Sequence, residues 1–175
     1  SKKRIVLFIG NVLNNHGYNP SQLELLSIKL DKYAEIKTYS NKLNKLYRMI
    51  DMLRGLFLHR GLKTIVFIDT YSHYAFYYAL FCSLFCQLMS IKYVPILRGG
   101  NLPLRLQKNP FLAKIIFSHS VVNISPSLFL QKEFKDSGFS SNYIPNIIDL
   151  KNYTFKLREN CSPKLLWVRS MHKSY

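Results

Sequence analysis

Short apolar runs that alternate with segments of helical periodicity constrain this chain more than any other feature. RIVLFIG (4–10), TIVFID (64–69), KYVPIL (92–97) and VVNIS (121–125) are compact apolar runs, and EIKTYS (35–40) alternates apolar with polar residues. A continuous β-branched run suits a strand covered on both faces, whereas an alternating one suits a strand nearer a sheet edge. Between the runs, SQLELLSIKL (21–30) sets Leu23, Leu26 and Leu30 at helical spacing behind the start signal Asn19-Pro20-Ser21. NKLNKLYRMIDMLRGLFLHRG (41–61) sets Leu43, Leu46, Ile50, Leu53 and Phe57 on one stripe, with Gly61 placed to end the helix. FLAKIIF (111–117) predicts a short helix. Ser125-Pro126 predicts another, with Ser as cap and Pro at the first helical position, running to about Asp136 with Gly138 beyond it. NYIPNIIDL (142–150) reads as a last short strand and a turn. Strands alternating with helices predict an α/β fold, a doubly wound, Rossmann-like parallel sheet with helices on both faces. Numbered along the chain, the strands at 4–10, 35–40, 64–69, 92–97 and 121–125 are expected in the order 3-2-1-4-5.

The 175 residues are enough for one full α/β domain. Lys and Arg number 25 against 9 Asp and Glu, a net charge of +16, which suits nucleic acid, an anionic membrane surface or a phosphorylated substrate as partner. A solvated basic face is the plainer use of the same charge. No RNA-recognition aromatic signature, GxxG loop or zinc knuckle occurs, so nucleic acid is not the expected partner. Cys82 and Cys86 lie four apart on one helical segment, Cys161 stands alone, and the His residues are scattered. That pattern argues against a zinc site or a disulfide framework and for buried free thiols; no metal or cofactor is expected. The N-terminal apolar run is too short for a signal segment and reads as the first strand.

Residues 71–90, YSHYAFYYALFCSLFCQLMS, carry no formal charge. About 20 apolar residues could span a bilayer. Four tyrosines, several polar residues and a position between two strands of one βαβ unit favour instead a helix buried on more than one side, or one whose outer face meets lipid.

In doubly wound sheets ligands sit at the carboxyl ends of the strands. There the first strand is followed by a loop holding Asn15, His16 and Gly17, whose backbone could meet a phosphate or sugar oxygen, or which could be a plain loop. The third run ends in Asp69, followed by Ser72 and His73, placed either for a substrate hydroxyl or to cap the next helix. The fourth ends in Arg98-Gly99-Gly100-Asn101. The glycines fit either a tight turn or a close approach of backbone to ligand. Arg98 fits either a phosphate or a local carboxylate. His119 precedes the fifth run, at the other end of the sheet, where a structural role is expected.

Together, RIVLFIG with Asn14-Asn15-His16-Gly17, IVFIDTYSHYA, YVPILRGG, VVNISPSLF and IPNIIDLKNYTF resemble the N-terminal half of a family 4 glycosyltransferase of the GT-B fold. The most specific match is to the family's hinge signature, carried by Pro145, Asn146, Ile148, Asp149 and Phe155, with Ile147 where the family has glycine. LLWVRSMHKSY resembles the first strand of the family's donor domain. The resemblance implies an acceptor-side domain over 1–150, a linker over 151–163 and the first strand of a truncated donor domain over 164–175. It places Arg169 and Lys173 near the donor diphosphate, although Val168 stands where the family has glycine, and Arg98 stands where many members have His. It implies part of a retaining glycosyltransferase of polysaccharide or lipid-linked glycan assembly, using a nucleotide-sugar donor and a glycan or lipid-linked acceptor. The half-enzyme is expected to be inactive alone, and no catalytic base is assigned. The place of action is expected to be the cytoplasmic, inner face of an anionic membrane, held peripherally by Lys42, Lys45, Arg48 and Arg54 of the basic helix. The alternative is a non-catalytic basic α/β module that binds nucleic acid or anionic lipid.

Overall fold

The computed structural model describes residues 4–10, 12, 21–39, 41–61, 64–148 and 157. The elements follow in the order β1 (Ile5–Ile9), α1 (Gln22–Leu30), β2 (Glu35–Tyr39), α2 (Lys45–Leu58), β3 (Thr64–Thr70), α3 (Ala75–Leu88), β4 (Lys92–Leu97), α4 (Leu102–Lys108), α5 (Pro110–Phe117), β5 (Ile124–Ser125), α6 (Leu128–Asp136) and β6 (Asn142–Tyr143). All strand pairs are parallel, and the sheet order is β2-β1-β3-β4-β5-β6. The expected doubly wound α/β class is therefore present, but the expected order is corrected. β3, not β1, is the neighbour of β4; it lies between β1 and β4, and β2 is the edge instead of lying between β3 and β1. The residues explain this. In β3, Val66 and Ile68 join the large core on one face while Phe67 stacks on Phe8 of β1 on the other, with ring centroids 5.2 Å apart. In β2 only Ile36 and Tyr39 are even partly covered. A strand that apolar on both sides belongs in the middle of a sheet, and a half-polar one at its rim.

The single reversal of order lies between β1 and β3. Right-handed crossovers then put α1 on one face and α2 to α6 on the other. The core agrees: Leu7 and Ile9 of β1 pack with Met52 and Leu56 of α2, Phe76 and Ala79 of α3, Leu102 of α4, Ile116 of α5 and Phe134 of α6. On the opposite face Leu23 of α1 is fully buried, as is Phe8. Helix α1 starts with a reciprocal cap: the Glu24 amide donates to Ser21 Oγ at 3.3 Å, and the Ser21 amide donates to Glu24 Oε2 at 2.6 Å.

Two local readings are corrected. Residues 102–108, left without structure by the sequence, form helix α4, with Pro103 in its first turn. Helix α6 begins two residues later than expected: Ser127, not Ser125, accepts the Leu130 amide, and Ser125 lies in β5 with its hydroxyl on Ser141. In α2 it is Met52, Gly55 and Leu56 that are buried, while of the apolar stripe Leu53 packs against the core and Leu46 and Ile50 are exposed. Cys82 and Cys86 are buried free thiols, as expected, whereas Cys161 lies outside the described residues. Helix α3 has 14 residues, about 21 Å at 1.5 Å per residue, and no described helix is long and apolar enough to cross a membrane. A half-buried polar group ties it to its neighbours: Gln87 Nε2 donates to Tyr93 Oη at 2.9 Å and to the Ile115 carbonyl at 2.8 Å. The Tyr93 hydroxyl in turn donates to the Ile116 carbonyl at 2.9 Å, joining β4 to α5.

Helix α2 approaches the edge strand through Gly55. A methyl group built there would lie 2.7 Å from the ring of Tyr39, whose hydroxyl is 3.2 Å from His59 Nε2. Gly55→Ala gains about 1 kcal/mol of helix propensity. It also forces the ring aside, at the 1–3 kcal/mol typical of overpacking, on the order of which the His59 contact is lost as well. Denaturant unfolding should show a net loss of about 1 kcal/mol. A stabilised variant would mean that Tyr39 swings away freely.

Candidate functional site

The strand order reverses between β1 and β3, and it is beyond the carboxyl ends of strands at such a reversal that doubly wound sheets open a crevice and hold ligands. Gly10 closes β1 there, its amide donating to the Tyr39 carbonyl at 2.9 Å. A side chain at this position would meet Asp69 Cβ at 3.1 Å and Leu23 Cδ1 at 2.8 Å. The glycine therefore lets α1 and Asp69 close over the end of β1.

Asp69 and Arg98 end adjacent strands and point to the same face of the sheet. Arg98 Nε donates to Asp69 Oδ1 at 3.0 Å, with side-chain exposures of only 10% and 1%. Arg98 Nη1 donates to Asn146 Oδ1 at 2.7 Å. One residue on, the Ile147 amide donates to Gln22 Oε1 at the start of α1, at 2.9 Å. The segment after β6 is thus drawn back across the carboxyl edge, held by Arg98 at one point and by α1 at the next. Between it and α1 lies a groove of about 270 Å³, floored by Phe67, Ile96 and Ile124, with Arg98 and Asn146 on its wall.

Burial raises the pKa of Asp69, and the charge and hydrogen bond of Arg98 pull it back only in part. Its second oxygen, Oδ2, is buried and has no partner among the described residues. Nearby, burial and then the charge of Asp69 push the Tyr71 phenol up to about 12, against the opposing pull of Arg98. Tyr71 stays a neutral donor at any working pH.

The glycine loop resolves into two different residues. Gly99 has φ +82°, so a turn conformation requires glycine there, and its carbonyl accepts the Leu102 amide at 3.3 Å to start α4. Gly100 has no such requirement. A methyl group added at either position would meet nothing within 4 Å, so the loop faces open space. Asn101 is exposed at the start of α4, without a side-chain capping bond. Ser72 is half-buried and His73 exposed beside the same edge. Neither Asp69 nor Ser72 caps α3, which has no side-chain cap. His119 is exposed at the amino edge, just before the Val121 amide that donates to the Tyr93 carbonyl. Asn15, His16, Gly17, Arg169 and Lys173 lie outside the described residues.

Of the expected residues, then, Asp69 and Arg98 are joined directly, and Gly99, Gly100 and Asn101 extend from Arg98. The sequence reading of Arg98 as a free fork of donors is narrowed: Nε and Nη1 are taken by the protein, and Nη2 has no hydrogen bond to a described residue. Gly10 and Gln22 were not singled out as site residues. The close approach at Gly10 was signalled only by a glycine at a strand end, and nothing local marked Gln22. Among the described residues no group of three His, Cys, Asp or Glu side chains could hold a metal ion. No protein-family model matches this chain, and no curated protein is significantly similar to it in sequence.

Breaking a buried pair leaves an uncompensated charge, at about 3–5 kcal/mol, whereas replacing both partners with apolar groups of similar volume is often neutral. Arg98→Ala should therefore destabilise strongly near pH 7, and Arg98→Met with Asp69→Leu should recover most of the loss. The pH dependence has a definite sign. A carboxyl whose folded pKa is raised stabilises the fold below its unfolded pKa and loses that contribution as pH rises through the folded value. Removing Arg98 raises the folded value of Asp69 further. The Arg98→Ala loss should thus shrink on going from about pH 7 to about pH 4, where Asp69 takes up a proton. Urea midpoints at the two pH values check this; equal losses would mean that Asp69 carries no unpaired charge in the variant.

Proposed function

We propose that this chain is the acceptor-side part of a retaining glycosyltransferase of the GT-B kind, moving a sugar from a nucleotide-sugar to a glycan or lipid-linked acceptor at the cytoplasmic face of an anionic membrane. One observation carries the reading. Asn146, in the segment that resembles the family's hinge signature, bonds directly to Arg98 at the carboxyl edge, where a doubly wound sheet takes its ligand. A hinge that begins on the substrate edge couples the position of whatever follows it to the crevice. In this reading the crevice is walled by Asp69, Tyr71 and Ser72 on one side and by Gly99, Gly100 and Asn101 on the other. Arg98 offers its remaining Nη2 to one phosphate or hydroxyl oxygen rather than gripping an anion with two nitrogens. Donor contacts through Arg169 and Lys173, and the division into acceptor domain, linker and donor domain, belong to the same proposal.

The rival function, a basic module that binds nucleic acid, uses the same charge without the crevice. The two part at Gly100, where a methyl group disturbs no packing in the chain and points into open space. Amide NMR with a short-chain prenyl diphosphate-linked sugar should shift Gly99, Gly100 and Asn101. Gly100→Ala should unfold like the parent yet weaken binding about tenfold, about 1.4 kcal/mol. Shifts elsewhere, or salt-sensitive binding to RNA with none to the sugar ligand, would refute the reading.

A further inference from the structure

Helices α2 and α3 lie side by side on the outer layer of the fold, running in the same direction. The Tyr78 hydroxyl of α3 donates to the Lys45 carbonyl of α2 at 3.2 Å, and Lys45 Nζ lies 4.5 Å from the ring centroid of Tyr74. Each helix turns a stripe of large apolar residues outward, and the two stripes share one spacing. In α2 the stripe is Leu46, Ile50, Leu53 and Phe57; in α3 it is Tyr77, Phe81, Leu84 and Leu88. All but Leu53 are substantially exposed, up to 75% at Leu46 and 77% at Leu88. Monomeric proteins seldom expose contiguous apolar faces of this kind unless something covers them.

The charges around the face select what covers it. Helices α2 to α5 carry Lys45, Arg48, Arg54, Arg105, Lys108 and Lys114 but a single acid, Asp51. Cations sit on the aromatic residues of the face: Arg60 is 3.9 Å from the ring centroid of Phe57, and Arg105 is 5.1 Å from that of Tyr77. A second copy would bring cations against cations. An anionic bilayer supplies the opposite charge, and aromatic rings with cations beside them suit its headgroup zone.

We infer that the outward stripes of α2 and α3 enter an anionic membrane together, with Phe81, Leu84 and Leu88 below the headgroups and Lys42, Lys45 and Arg54 at their level. This rests on the membrane partner of the proposed function and assigns the contact to a particular face. It also shifts the weight of the contact from the charges of α2 to the uncharged α3. Arg48 has a different task, because its guanidinium is folded back onto the Lys42 carbonyl at 2.8 Å. Both helices lie flat in the interface. The strand axes then run along the membrane, and the carboxyl-edge crevice opens sideways at the bilayer surface.

The test uses the whole chain with Trp167→Phe and Phe81→Trp, so that the only tryptophan reports from α3. With equimolar phosphatidylcholine–phosphatidylglycerol vesicles its emission should shift to the blue and be quenched by brominated acyl chains. Phe81→Gln with Leu84→Gln and Leu88→Gln, in the parent chain, should keep the same circular dichroism and lose vesicle affinity about a hundredfold. Changing Lys42, Lys45 and Arg54 to Gln should weaken binding at low salt but leave the bound tryptophan quenched. Vesicle binding with an unquenched tryptophan would overturn the inference, as would a dimer in sedimentation that the three Gln changes in α3 dissociate. Neither result depends on sugar binding, so failure here is distinct from failure of the glycosyltransferase reading.

Discussion

A guanidinium and a carboxylate, removed together from water at the ends of two neighbouring strands, organise the carboxyl edge of this protein. Desolvating either alone would be prohibitive, so the fold must keep Asp69 and Arg98 within hydrogen-bond distance. That requirement fixes the register of β3 against β4, where Asp69 sits opposite Ile96 and Thr70 opposite Leu97. It calls for the glycine at the end of β1, and it gives Asn146 a charged donor to bind. The backbone adds to it, since the Arg98 amide donates to the Thr70 carbonyl at 2.9 Å. The crevice, the glycine loop and the returning segment all take their positions from this one contact.

The elements were largely legible because their signals are local. A run such as TIVFID or KYVPIL states its burial in its own composition, and the Ser21 cap needs only Glu24 three residues on. Sheet order is not local. The sequence did hold a clue, since the alternating EIKTYS is too polar to lie between two strands as apolar as β1 and β3, yet a Rossmann-like order would place it there. Helix α4 was hidden because Arg98-Gly99-Gly100 looks like the start of a long loop. The chain in fact turns once at Gly99 and becomes helical at Leu102. The stripe of α2 was legible only in part: periodicity shows that a helix has an apolar side but not which layer that side meets.

At the site, single residues were legible and their partnership was not. Asp69 and Arg98 each stood out at a strand end, and a local carboxylate was one of the two partners foreseen for Arg98. That the carboxylate is Asp69 follows only from the pairing of β3 with β4. Asn146 stood out as part of a signature, but its hydrogen bond spans 48 positions of sequence. Gln22, 125 positions from the amide it accepts, carried no signal at all. Both contacts depend on β6 being placed at the far edge, which a two-residue strand announces poorly.

The position of β1 between β2 and β3 also has a kinetic consequence. Ile5 pairs with Glu35 on one side but with Thr64 on the other, so β1, made before both of its partners, cannot be closed until the chain has emerged past Thr70. Such distant parallel pairings carry a large loop-closure cost and slow folding. Until they form, β1 and the inner face of α2 remain uncovered. The growing chain then passes through an interval in which chaperones compete with aggregation for a basic, strongly apolar intermediate.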